Sequence, residues 1–238
     1  MCFSAEASFA AGAVLSAVGV ATVTKAKAPS QRLFASIPLL FGLQQFAEGV
    51  LWITLASGRL DRLQSAAAYI FLITALVIWP VMIPLSMCLL EEAKRRKIIL
   101  ACLTVSGGIL SLFYAFCLIS YDITPQIEGF HIQYIDNFPR PLMDMALLLY
   151  LVSTVAPLFV SSVRRMWLFG ALIAVSCFVT AVIFSQYLTS VWCFFAASMS
   201  VAIYWILSSP QSRASPTGKI SRGVGFLTER LKIWIHIS

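Results

Sequence analysis

The sequence predicts an all-α integral membrane protein, a bundle of seven transmembrane helices. Three observations carry that prediction. Sixty per cent of the 238 residues are hydrophobic and only 11% are charged, and the mean hydropathy is +0.88, far from an average soluble domain. The apolar residues fall into seven runs, each near the roughly twenty residues that a helix needs to cross a hydrocarbon core about 30 Å thick. The basic residues form short clusters between those runs, so the net charge of +7 carries topology information and does not describe a nucleic-acid-binding surface.

In chain order, the first run covers about residues 4–24 and follows Met1-Cys2-Phe3-Ser4-Ala5-Glu6 directly. It lacks a basic leader and a small-residue cleavage site, so it is expected to be a retained span and not a signal peptide. Ser8, Gly12 and Ser16 recur every fourth residue, a ridge of small side chains suited to close helix packing. The second span is expected at about 33–55 and the third at 65–90. Trp79-Pro80 and Pro84 should kink the third, with neighbouring helices satisfying the carbonyls that proline frees. After the polar loop Glu91 to Lys97 comes a fourth span at 98–119. Residues 120–140 read as the longest loop, with Tyr121, Asp122, Glu128, His131, Tyr134 and Asp136. The fifth span, 141–163, carries Asp144 one turn inside its start; Arg164-Arg165 separates it from the sixth at 166–184, and the seventh lies at 189–207. Residues 208–238 read as a basic cytoplasmic tail with a short helix between Phe226 and Ile237. No paired repeat of the kind that builds inverted transporters is visible.

Seven spans place the two ends of the bundle on opposite sides. Fourteen of the seventeen Lys and Arg residues fall in the first, third and fifth loops and the tail, while the other loops hold only Arg59, Arg62 and Arg140 beside several acids. The positive-inside rule then puts the N-terminus outside and the C-terminus in the cytoplasm of a multi-pass protein, expected in a bacterial inner membrane. Glu48, Asp144, Cys2, His131 and the long acidic loop converge on the outer side in that arrangement.

The most informative stretch is the second span, Ser36 to Leu55, which carries Gln44, Gln45 and Glu48 inside an apolar run. Spacings of three and four put all three on one helical face. An ionised carboxylate at membrane depth costs about 2.5 kcal/mol or more unless paired or protonated. Glu48 is therefore expected to be a neutral acid or bound to a cation near neutral pH. Gln44, Gln45, Glu48 and Trp52, with Asp144 as part of a lid, are the candidate ligand-binding set. The plainer readings remain open here: an interhelical hydrogen-bond cluster for the first three, a first-turn acid favouring the helix dipole for Asp144, and a solvated loop histidine for His131. Trp52, Trp79, Trp167, Trp192 and Trp205 read mostly as interfacial or packing aromatics. The cysteines at 88, 102, 117, 177 and 193 read as small hydrophobes with no disulfide framework.

Cys2 differs, because removal of the initiator Met would place its thiol beside a free amine. Such a group is a candidate nucleophile, or with Glu48 a ligand for a soft metal ion; the alternative is an apolar anchor or acylation site. The opening Met-Cys-Phe-Ser-Ala and the block Gln44-Gln45-Phe46-Ala47-Glu48-Gly49 resemble a family of small bacterial membrane proteins of unknown function. The resemblance covers mainly the first two spans. It implies that Cys2, Gln45, Glu48 and Gly49 belong to the family pattern, and it supplies no activity.

Better-known seven-helix plans do not fit. Every lysine lies in a loop or the tail, which excludes a retinal Schiff base in the last span, and no histidine lies in any span. The three-histidine zinc site of alkaline-ceramidase and adiponectin-receptor-like hydrolases therefore cannot be built. Three classes of function remain. The first is a receptor, sensor or carrier whose outward-facing polar pocket takes a small molecule, lipid, proton or metal ion. The second is a membrane-embedded hydrolase or transferase with Cys2 as nucleophile and Glu48 or His131 as acid/base. The third is a structural partner subunit. The first needs the fewest aligned roles.

Overall fold

Ser4 sets the first helix: its hydroxyl accepts the N–H of Ala7 at 3.2 Å, and α1 runs over Ala5–Lys25. The computed structural model describes residues 4–58, 61–129, 131–163, 165–183 and 188–208. After α1 come α2 (Pro29–Ala35) and α3 (Ile37–Ser57), nearly continuous across Ser36, then α4 (Asp61–Leu72), a π-helical stretch Ile73–Ile78, and α5 (Trp79–Leu90). Next are α6 (Lys94–Ser120), the strands β1 (Ile123–Glu128) and β2 (His131–Asp136), α7 (Arg140–Val160), α8 (Met166–Ile183), α9 (Leu188–Ser200) and α10 (Ala202–Ser208). Among the described residues six helices are long and apolar enough to cross a membrane. The last apolar run, Val191–Leu207, is shorter and is broken between α9 and α10 at Val201. The expected tail, 208–238, and its C-terminal helix lie outside the described residues except for Ser208.

Helices α1 and α3 meet along small residues. A Cβ on Gly12 would stand 3.0 Å from the Phe46 ring, and one on Gly42 would stand 2.6 Å from Ser16 Oγ. Either Cβ would require the Phe46 ring or the Ser16 hydroxyl to give way, so small residues set the close approach of the two helices. Phe9 and Phe46 flank this seam. The seam fixes how α3, and with it the polar face of α3, is presented to the rest of the bundle.

The third apolar run shows how two prolines are accommodated. Trp79 N–H bonds to Thr74 O, five residues back, which defines a π turn. In that register Pro80 would serve Ala75 O but has no N–H to give. The Tyr150 hydroxyl of α7 supplies the bond at 2.7 Å. From α6, the Ser111 hydroxyl donates to Val77 O at 2.6 Å. Pro84 likewise leaves Pro80 O without its helical donor, and Gly107 of α6 sits directly against that carbonyl, close enough for a weak Cα–H···O contact. Neighbouring helices thus repair the backbone at each freed group. Tyr150→Phe keeps the ring but strands the buried Ala75 carbonyl. It is expected to cost about 1–3 kcal/mol, read as a lower unfolding midpoint in a detergent titration; an unchanged midpoint would show that another donor replaces the hydroxyl.

One end of the bundle carries the basic clusters. There Glu91, only 2% exposed, ties two loops together. Its Oε2 accepts the Ser162 N–H at 2.7 Å, and its Oε1 accepts the Ser162 hydroxyl at 2.9 Å and the Ala93 N–H at 3.0 Å. Burial pushes the carboxyl up, but these donors and the nearby Arg96 outweigh it and hold the group below the usual carboxylate range. At the same end the Arg165 guanidinium, just before α8, lies 3.6 Å from the centroid of the Trp205 ring in the middle of α10, a cation–π contact.

The opposite end holds the strands, where the sequence suggested only a loop. β1 and β2 pair antiparallel in a register from Ile123↔Asp136 to Glu128↔His131, and Gly129 opens the turn with φ +60°. A two-stranded hairpin is marginal alone; this one is anchored by burial. Ile132 is fully buried against Leu51, Ala67 and Ala68, and Tyr134 stacks on Phe71 with centroids 5.2 Å apart. The hairpin therefore packs against the C-terminal halves of α3 and α4.

Candidate functional site

The site is built on α3, whose sequence holds an apolar helix together while placing three polar side chains on one face. Gln44, Gln45 and Glu48 are all wholly buried. The Gln44 amide is a bridge: its Oε1 accepts Trp79 Nε1–H of α5 at 3.2 Å, and its Nε2 donates to Cys193 Sγ of α9 at 3.3 Å. Phe41, one turn before Gln44, stacks on Trp79 at 4.2 Å. Gln44 thus pins α3 to α5 and α9, a structural use of a buried amide whose donor and acceptor are both engaged.

Gln45 and Glu48 form the second part. Gln45 Nε2 donates to Glu48 Oε2 at 3.3 Å, while Gln45 Oε1 has no hydrogen-bond partner among the described residues. The two parts adjoin on one helical face, since Gln44 stands beside Gln45 and one turn from Glu48. Farther along the same face toward the hairpin, the buried Trp52 Nε1 lacks a partner among the described residues, as does Ser8 Oγ on α1. Buried donors and acceptors without partners are uncommon and mark a place where something else can bind.

Asp144 is exposed on α7, in a different environment from the enclosed trio. His131 is half-buried at the start of β2, opposite Glu128, and burial lowers its pKa from the ordinary histidine value. Cys2 lies outside the described residues. Among the described residues no group of three or more His, Cys, Asp or Glu side chains could hold a metal ion. Sequence reasoning missed the roles of Trp79 and Cys193, which were read as packing residues, and of Glu91, which was read as a loop acid. A tryptophan directly before a proline in a membrane helix was the available signal for Trp79; nothing in the sequence pointed to Cys193 as the acceptor for Gln44.

The chain belongs to a family of unknown function, DUF6629, whose model matches residues 1–218. No curated protein and no solved structure matches it.

Proposed function

Because membership of that family brings no activity with it, we propose from the geometry that the protein is a seven-span receptor, sensor or carrier. Its Gln45–Glu48 pair binds a proton, and with it a small hydrogen-bonding ligand, reached from the outer face of the cell membrane. The observation that carries this reading is the wholly buried Glu48 carboxyl beside a Gln45 Oε1 that has no partner among the described residues. No Lys, Arg or His lies within the apolar run of α3, and Glu48 is wholly buried there. A neutral acid is the inexpensive state there. The amide matches both protonation states. With Nε2 toward Glu48 it donates to the acid; turned over, it presents Oε1 to accept the acid's own O–H. The charge pattern of the connections supports an outward-facing site, with the basic end in the cytoplasm.

Infrared difference spectroscopy tests the proposal directly. A protonated-acid carbonyl band should be present near neutral pH, vanish in Glu48→Gln and shift in Gln45→Leu. A carboxylate signal titrating in the ordinary acidic range would overturn it. Addition of zinc ion serves as the second arm: loss of the acid band on metal addition would replace the proton by a cation as the resident ligand.

A further inference from the structure

The start of α6 runs against a rule of helix stability. Lys94, Arg95, Arg96 and Lys97 fill its first turn, where cations oppose the helix dipole, and the N-cap Ala93 adds no side-chain bond. All four are exposed, against one exposed acid, Glu92, just before them. Among the described residues none of the four is held in an ion pair; Arg96 lies near Glu91, whose oxygens are already spent on Ala93 and Ser162. The positive-inside rule asks only for cations somewhere in this connection. Here they run directly into a second feature. Ile98, Cys102, Val105 and Ile109 follow at helical spacings of four, three and four. All are exposed, Ile98 by 56% and Val105 and Ile109 by 65% each. This apolar stripe starts one turn after the cations, on a face that the described residues leave uncovered.

We propose that the start of α6 is an interaction surface for an anionic phospholipid: the four cations engage its phosphate, and the stripe from Ile98 to Ile109 takes an acyl chain. The two halves of the surface match the two halves of one molecule. A soluble acidic partner would use the cations and leave the stripe without a role, while a lipid of no net charge would leave the cations uncompensated. The dimensions agree as well. Ile98 to Ile109 covers about 16 Å at 1.5 Å per residue, near half of a hydrocarbon core about 30 Å thick, the depth that one acyl chain spans. Arg95 and Arg96 add planar, two-pronged contacts to phosphate oxygens that a lysine cannot make. The surface is independent of Glu48 and of its protonation.

The test titrates the full chain, in neutral detergent micelles, with dye-labelled phosphatidylglycerol or phosphatidylcholine carrying the same acyl chains. Phosphatidylglycerol should bind about tenfold more tightly at low salt, and the preference should shrink as salt is raised. Replacing Lys94, Arg95, Arg96 and Lys97 together by Gln should bring the affinity ratio to about one. Taking four cations from the tail instead, with Lys219→Gln, Arg222→Gln, Arg230→Gln and Lys232→Gln, should leave the ratio unchanged. Equal affinities in the wild type, a preference that survives the loss of the four α6 cations, or an equal loss in the tail variant would overturn the proposal. Glycerol phosphate carries the charge without the chains and should not displace the lipid at matched concentration. Displacement would assign the cations to a free phosphate and overturn the lipid. If the fourfold α6 variant fails to assemble, the double variant Lys94→Gln, Lys97→Gln decides: the ratio should fall to about threefold, and an unchanged ratio would sink the proposal.

Discussion

Gly107→Ala is expected to lower stability by more than about 3 kcal/mol, or to prevent assembly of the bundle, because the new Cβ would be driven into the carbonyl of Pro80. The obstacle is backbone and not a movable side chain, so α5 and α6 must separate. Separation would also pull Ser111 from Val77 O, the bond that satisfies the π stretch. The neighbouring residue is an internal control. A Cβ on Gly108 meets nothing within 4 Å, so Gly108→Ala should be neutral or gain up to about 1 kcal/mol of helix propensity. Unfolding titrations of the two variants side by side give the measurement. Matching midpoints for the pair would show that the helices do not approach as closely as described.

Glu91→Ala should be the next most damaging change, at about 3 kcal/mol. It leaves the Ala93 and Ser162 amides and the Ser162 hydroxyl without their shared acceptor, and bonds to a charged acceptor are worth about 1.5–3 kcal/mol each, without full additivity. The pH dependence follows from the lowered pKa of Glu91. A carboxyl that binds its proton more weakly folded than unfolded stabilises fully above its unfolded pKa. That contribution is lost as pH falls through the folded value. Wild-type stability should therefore drop on acidification below the ordinary carboxylate range, and Glu91→Gln should flatten that part of the curve. Equal acid sensitivity in both would assign the drop to other carboxylates.

Helices and polar face were readable in the sequence for different reasons. Long apolar runs announce helices because the bilayer dimension sets their length, and Gln44, Gln45 and Glu48 stand out because polar residues are rare within such runs. What they bond to was not readable. Gln44 meets Trp79 and Cys193 across helices whose relative rotation no local pattern encodes. The hairpin left a signal that was overlooked: Ile132 and Tyr134 alternate with polar residues after a glycine, the period of a half-buried strand, but within a short acidic connection it read as loop. Glu91 was hidden for the opposite reason. It opens an obviously polar loop, where one acid looks like any other until Ser162 arrives from a distant part of the chain.

The π-helical stretch has a consequence for how this chain tolerates changes in length. Relative to a regular α-helix, a π turn behaves as a one-residue insertion absorbed without a loop. Removing a single residue between Ile73 and Ile78 would let the rod relax into continuous α-helix. That deletion would leave both halves in their present phase, whereas keeping every residue in regular α-helix would rotate everything after the stretch by roughly 100°, the turn per residue of an α-helix. In the latter case Phe71, upstream, would keep its stacking on Tyr134, while Trp79, downstream, would swing away from Gln44. The stretch therefore acts as a phase adjuster: the spare residue lets one half of the rod hold the hairpin while the other half meets the buried amide.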